Sequence, residues 1–223
     1  MLKKNSRIVI IGAGISGIFC AKRLQSFGLN PIIFEKSRGV GGRVSTRRID
    51  NGEFNHGARK IGDFSTLPIA FDFEKNIFEN GYRSGLLKRE RAYFTFTKSM
   101  SKFTEFLSND LRIEKSSKLV SIKRSFSGSF SLTFLNLART IECDILILAI
   151  PQPQAVSLLE RDFSSIVQSL RSCSMRASAA ALFGFQTTLE TTFDIMENHK
   201  ITATREKLGI KDNNLLDCWT VHT

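Results

Sequence analysis

The 223-residue chain is 42% apolar and 24% charged, enough hydrophobic material for the core of one large domain or two small ones. A net charge of +11 suggests polyanionic partners, but the cations are scattered, densest at 43–48 and 88–91, so neither nucleic acid nor a membrane is expected. Cys20, Cys143, Cys173 and Cys218 are widely spaced, without a C-x-x-C pair or a completing histidine, so no metal site is expected and a reduced cytoplasmic setting fits.

In chain order, the first element is a β-branched block at 8–11, as expected for a parallel strand covered on both faces. Gly12, Ala13, Gly14, Ile15, Ser16 and Gly17 follow as G-x-G-x-x-G. In this fingerprint the first glycine makes the tight turn, the second admits a pyrophosphate to the backbone, and the third lets the new helix lie close on the strand. The helix N-terminus offers free amides and a positive dipole end to an anion. Ile15, Ile18, Phe19, Leu24 and Phe27 give that helix its apolar positions, and Gly28 stops it. A second strand at 31–35 ends on Glu35, about 20 residues past the fingerprint, where the βαβ dinucleotide fold places an acid against ribose hydroxyls.

Lys36, Gly41, Gly42 and Arg43 then form a second glycine-rich, cationic loop that a plain nicotinamide-binding unit does not require. The pattern E-K-x-x-G-x-G-G-R resembles the loop of the two-dinucleotide-binding flavoproteins related to the amine oxidases, and Arg43-Val-Ser-Thr with Phe54-Asn-His-Gly-Ala58 is most similar to their renalase-like branch. The resemblance implies that this loop lies against the FAD diphosphate and flavin, with Arg43 as a donor to either. It departs from the pattern at two places. Asn55 replaces an acid, and Arg59-Lys60 replaces an amide and an aromatic residue. Two cations there either stabilise an anionic reduced flavin or face solvent or a substrate phosphate. His56 reads as a loop-packing histidine.

From 62 to 97 the chain is phenylalanine-rich without a clear helical period, closing with an alternating strand at 93–97 that returns from a hairpin begun near Tyr82. A helix is expected at 98–107 and a short strand around Leu111 and Ile113. A β-meander follows at 118–141, and then a buried parallel strand at 144–150 stopped by Pro151, with Pro153 in the first turn of the next helix. The resemblance implies that this strand rejoins the dinucleotide sheet, with Ala149 and Pro151 near the cofactor and Val120 close to the adenine. Beyond it, 163–170 reads as a helix, 177–185 as a strand or a helix, 201–211 as a hairpin region and 216–222 as a strand whose end carries His222, a candidate catalytic group.

The expected fold is α/β: a Rossmann-like FAD-binding domain with a β-meander (1–62 and 98–162) and an inserted, incomplete α+β substrate domain (63–97 and 163–223). The resemblance implies an FAD-dependent oxidoreductase that takes a hydride from a small-molecule substrate and passes it to oxygen. A dihydronicotinamide isomer is the implied substrate, with an amine, porphyrinogen or carotenoid open. Members of the family continue beyond the pattern found here, so either a second chain completes the flavin site or the chain is a non-catalytic nucleotide-binding remnant.

Overall fold

The computed structural model describes residues 5–49, 52–58, 60–62, 72–90, 93–97, 99–126, 128–137, 140–191, 195–198, 201–206, 210–211, 214–215 and 217–222. Packing divides the chain into two compact units, 1–42 with 108–176 and 43–107 with 177–223. In chain order the first unit opens with β1 (Ile8–Ile11), α1 (Ile15–Ser26) and β2 (Ile32–Phe34). The second then supplies β3 (Thr46–Ile49), β4 (Gly52–Asn55), β5 (Lys60–Gly62), α2 (Asp72–Arg83), β6 (Leu87–Arg89), β7 (Tyr93–Phe96) and α3 (Met100–Ser108). The chain returns to the first with β8 (Arg112–Glu114), β9 (Leu119–Arg124), β10 (Phe130–Phe134), β11 (Ile141–Cys143), β12 (Ile145–Leu148), α4 (Gln152–Leu159) and α5 (Ser164–Arg171). It ends in the second with β13 (Ala180–Phe185), β14 (Ile195–Asn198), β15 (Ile201–Glu206), β16 (Ile210–Lys211), β17 (Asn214–Leu215) and β18 (Asp217–His222).

In the first unit, a parallel sheet runs in the order β12-β1-β2-β8. All four residues of β1 are buried, as a strand covered on both faces requires. Its neighbours register Ile8 to Ile145 on one side and Val9 to Ile32 on the other. Arg7, just before β1, donates from its backbone N and its Nη2 to the carboxylate of Asp144, at 2.8 and 2.7 Å, tying the entries of β1 and β12 together. These bonds hold the Asp144 carboxyl below its usual range and raise Arg7 further. The antiparallel meander β11-β10-β9 forms a second layer. Leu119, Ile122, Leu132 and Phe134 from the meander meet Val9, Ile11 and Phe34 of the parallel strands, and Leu159 and Val167 join from the two helices. The rings of Phe34 and Phe134 lie 4.5 Å apart, and each such aromatic contributes about 1.5–3 kcal/mol by burial.

The second unit contains the antiparallel sheet β13-β18-β15-β14, the three-stranded β5-β7-β6, and the β3-β4 and β16-β17 pairs. Within the segment 177–185, open between helix and strand in sequence, residues 180–185 form strand β13. The 201–211 region differs from a simple hairpin: β15 pairs with β14 before it and with β18 after it. The segment 62–97 also differs, because residues 72–83 form helix α2. Phe73, Ile77 and Gly81 do recur at helical spacing, but Asn76 and Gly81 lower the propensity and mask the period. Phe78 of α2 lies 5.8 Å from Phe103 of α3 and 6.2 Å from Phe94 of β7, ring to ring.

The two packing units group some segments otherwise than the expected domains. Segment 98–107 packs in the second unit because Phe103 enters the cluster, and 43–62 joins the same unit. Segment 163–176 packs in the first, where Val167 reaches the core beneath the meander.

Candidate dinucleotide site

β1 leads into Gly12 at φ +104°, where an added Cβ would lie 2.6 Å from the carbonyl oxygen of Ala149. Gly17 is tighter still: its Cβ would stand 2.0 Å from the Gly12 carbonyl oxygen. Both glycines are therefore demanded by the protein's own packing. Gly14 is not. It caps α1 at φ −70° and ψ 174°, and a Cβ there would meet nothing within 4 Å. The first turn of α1 has neither a side-chain cap nor an acidic residue, which leaves its amides and dipole end for an anion, a placement typically stabilising by about 0.3–1 kcal/mol. Ser16 is exposed at this turn and Ile15 half-buried.

Glu35 follows β2 and is buried to 8% exposure. Its Oε2 accepts from the Ala13 amide at 2.7 Å and its Oε1 from the Ser37 amide at 2.8 Å. The carboxylate thus holds the fingerprint turn, and each oxygen keeps a further lone pair. The second glycine loop lies directly on the first. The Gly41 amide (φ +108°) donates to the Ala13 carbonyl at 2.8 Å, Gly41 and Gly14 form a parallel bridge, and a Cβ on Gly42 (φ +55°) would come within 3.1 Å of the Gly14 Cα. Lys36 Nζ donates to Gln154 Oε1 of α4 at 3.2 Å. The Ala149 amide donates to the Ile11 carbonyl at 2.8 Å, and Pro151 caps α4. Residues from 12 to 17, Glu35, Lys36, Gly41, Gly42, Ala149 and Pro151 are all carried by the first unit. Val120 belongs to it too, but on the outer side of β9 and 43% exposed, while Leu119 and Ile122 enter the core.

The remaining candidates belong to the second unit or lie beyond description. Arg43 is exposed, and its carbonyl accepts from the Ala58 amide at 2.9 Å. Gly57 is required beneath it, since a Cβ would fall 1.8 Å from that oxygen. His222 ends β18 opposite Ala180 and Thr202. Arg59 is outside the described residues. Asn55, where the sequence departs from an expected acid, has a structural task that sequence reasoning missed. Its Oδ1 accepts from Thr46 Oγ1 at 2.7 Å and from the Met100 amide at 3.1 Å, joining the β3-β4 hairpin to the start of α3. Ser101 completes the joint, its Oγ accepting from the Thr46 amide at 2.9 Å. The only sequence hint was the helix expected from position 98.

Among the described residues no group of three or more His, Cys, Asp or Glu is arranged to hold a metal ion. Burial pushes the Cys143 thiol up to about 11, so it is neutral near pH 7 and unsuited to act as a nucleophile. The chemistry this arrangement supports is binding of a dinucleotide.

The comparisons with known proteins agree. Residues 10–75 match the family described as NAD(P)-binding Rossmann-like domain. L-amino-acid oxidase 4 from Hebeloma cylindrosporum is 31% identical over 90 residues, covering 40% of this chain and 13% of that protein. A 4,4'-diapophytoene desaturase from Staphylococcus aureus (strain Newman) is 41% identical over 72 residues, covering 32% of this chain and 13% of that one. By structure, cyclohexylamine oxidase from Brevibacterium oxydans IH-35A superimposes with a TM-score of 0.62 at 12% identity, over 97% of this chain and 75% of the other. The chain therefore has the fold of amine-oxidase-like flavoenzymes, a parallel Rossmann-like sheet with antiparallel sheets, and its residues 10–75 resemble an NAD(P)-binding Rossmann-like domain. The matched segments are a small share of the sequence relatives' lengths, and they do not single out the renalase-like branch.

Proposed function

We propose that the chain binds FAD and acts as an FAD-dependent oxidoreductase on a small reduced substrate. The observation that carries this reading is the pairing of two glycine loops, Gly12 to Gly17 and Gly41-Gly42, at a helix N-terminus whose middle glycine has open space where a Cβ would stand. The residues fit the group. Gly14 leaves room where a diphosphate would approach, the amides of Ile15, Ser16 and Gly17 are the donors to it, and Glu35 offers its remaining lone pairs to ribose hydroxyls. Lys36 and Arg43 add positive charge for the phosphates, while Val120, Ala149 and Pro151 are assigned to the walls of the site. Bound FAD would supply hydride acceptance, leaving the protein to bind, orient and tune. Arg59 and His222 are the candidates for tuning and for contact with substrate.

Within this class we assign a dihydronicotinamide isomer as substrate and oxygen as final acceptor, on the likeness of Arg43-Val-Ser-Thr and Phe54-Asn-His-Gly-Ala58 to the renalase-like branch. An easily oxidised hydride donor needs no protein base. The test is an absorbance spectrum of protein purified with FAD. Bands of bound oxidised flavin that bleach on anaerobic addition of a dihydronicotinamide isomer support the full reading. Flavin bands without bleaching keep FAD and reject the substrate. A colourless protein that fails to take up FAD rejects both.

A further inference from the structure

Between the meander, β12 and the helices α4 and α5, the first unit holds a cavity of about 500 Å³. It shares no lining residue with the fingerprint turn, Glu35 or the second glycine loop. Ile122 and Leu159, buried in the core, contribute to its lining, and Leu146, Leu148 and Phe163 stand half-buried around it. Only two of the lining side chains are polar, Arg124 and Gln152. Gln152 ties α4 to α5, its Nε2 donating to the Leu170 carbonyl at 3.2 Å. Strand alternation sets Arg124 on the same side of β9 as Ile122, opposite Phe130 of β10. Arg124 is exposed and has no ion-pair partner among the described residues.

We infer that this cavity takes the alkyl chain of a single-chain carboxylate, of the fatty-acid class, whose carboxylate pairs with Arg124. Sites for small molecules are typically about 300–1,000 Å³ and mostly apolar, with a few polar groups that fix orientation, and this cavity matches on each count. A polypeptide segment laid into it would bring backbone N–H and C=O groups against a lining with almost no partners for them, whereas an alkyl chain brings none. The guanidinium, having no acid of its own, favours an anionic head over a neutral or cationic one, and its planar fork suits the two oxygens of a carboxylate. The inference is independent of the flavin reading, because none of these residues is assigned to the cofactor.

Isothermal titration of the full chain with decanoate, below its micellar concentration, tests this. A single saturable site is expected. Octanoate should bind about ten-fold more weakly, the loss expected when two methylenes fewer leave water. Decanol, with the same chain and no charge, should also bind about ten-fold more weakly, for want of a charge-assisted hydrogen bond. Arg124→Gln, a change at an exposed side chain, should bring decanoate down to the affinity of decanol and leave decanol unchanged. Decanoate should bind equally well when FAD is present in excess. A wild-type chain without saturable binding overturns the inference, and so does an Arg124→Gln chain that binds decanoate as tightly as wild type. Displacement of decanoate by FAD also overturns it, because the ligand would then occupy the dinucleotide site.

Discussion

Gly12, Gly14 and Gly17 are equivalent letters in the fingerprint, yet the structure gives them different duties. A methyl group on Gly17 would collide with a backbone carbonyl at 2.0 Å, and on Gly12 with another at 2.6 Å. These are overpacked positions whose relief requires the backbone itself to shift. Gly17→Ala is therefore expected to destabilise the fold by about 1–3 kcal/mol, read from urea unfolding. Gly14→Ala should stay within about 0.5 kcal/mol of wild type, because its φ of −70° and open surroundings accept a side chain. The flavin reading makes the opposite demand. Gly14→Val should lose FAD binding by titration while keeping the fold, and Glu35→Ala should weaken it more modestly. Equal retention in both variants would reject the site assignment.

At the scale of elements, α2 and α3 show how packing overrides local preference. Gly81 sits inside α2, where alanine is ordinarily better by about 0.5–1 kcal/mol. Here a Cβ would meet Phe103 at 2.8 Å and Leu87 at 3.0 Å. Gly81→Ala should accordingly lower the melting temperature, the overpacking term of about 1–3 kcal/mol exceeding the helix-propensity gain. A rise on substitution would show that the cluster can yield. The same cluster explains why α2 escaped the sequence reading: its glycine is a contact surface for Phe103, which lies 22 positions away. By contrast β1, α1, β2 and β12 were legible, since a buried strand, a glycine turn and a proline stop each leave a local signature.

At the scale of the whole molecule, neither unit is contiguous. The central strand β1 has β12 as one neighbour, and β2 has β8 as its outer one, both from the second passage of the chain through the first unit. A fragment of residues 1–107 retains the fingerprint, α1 and β2 but loses β8, β12 and the meander that covers Val9, Ile11 and Phe34. It should show no cooperative thermal transition by circular dichroism, and a cooperative one would mean that the first passage folds alone. The sequence by itself determined the dinucleotide fingerprint, the acid at the end of β2, the meander and the returning strand, because each is written in neighbouring residues. Only the tertiary structure decided that the two glycine loops lie against each other, that Asn55 joins the hairpin to α3, and that 98–107 packs with the second unit. Those facts depend on residues brought together from far along the chain, where one contact is chosen over others by packing and by the need to satisfy buried polar groups.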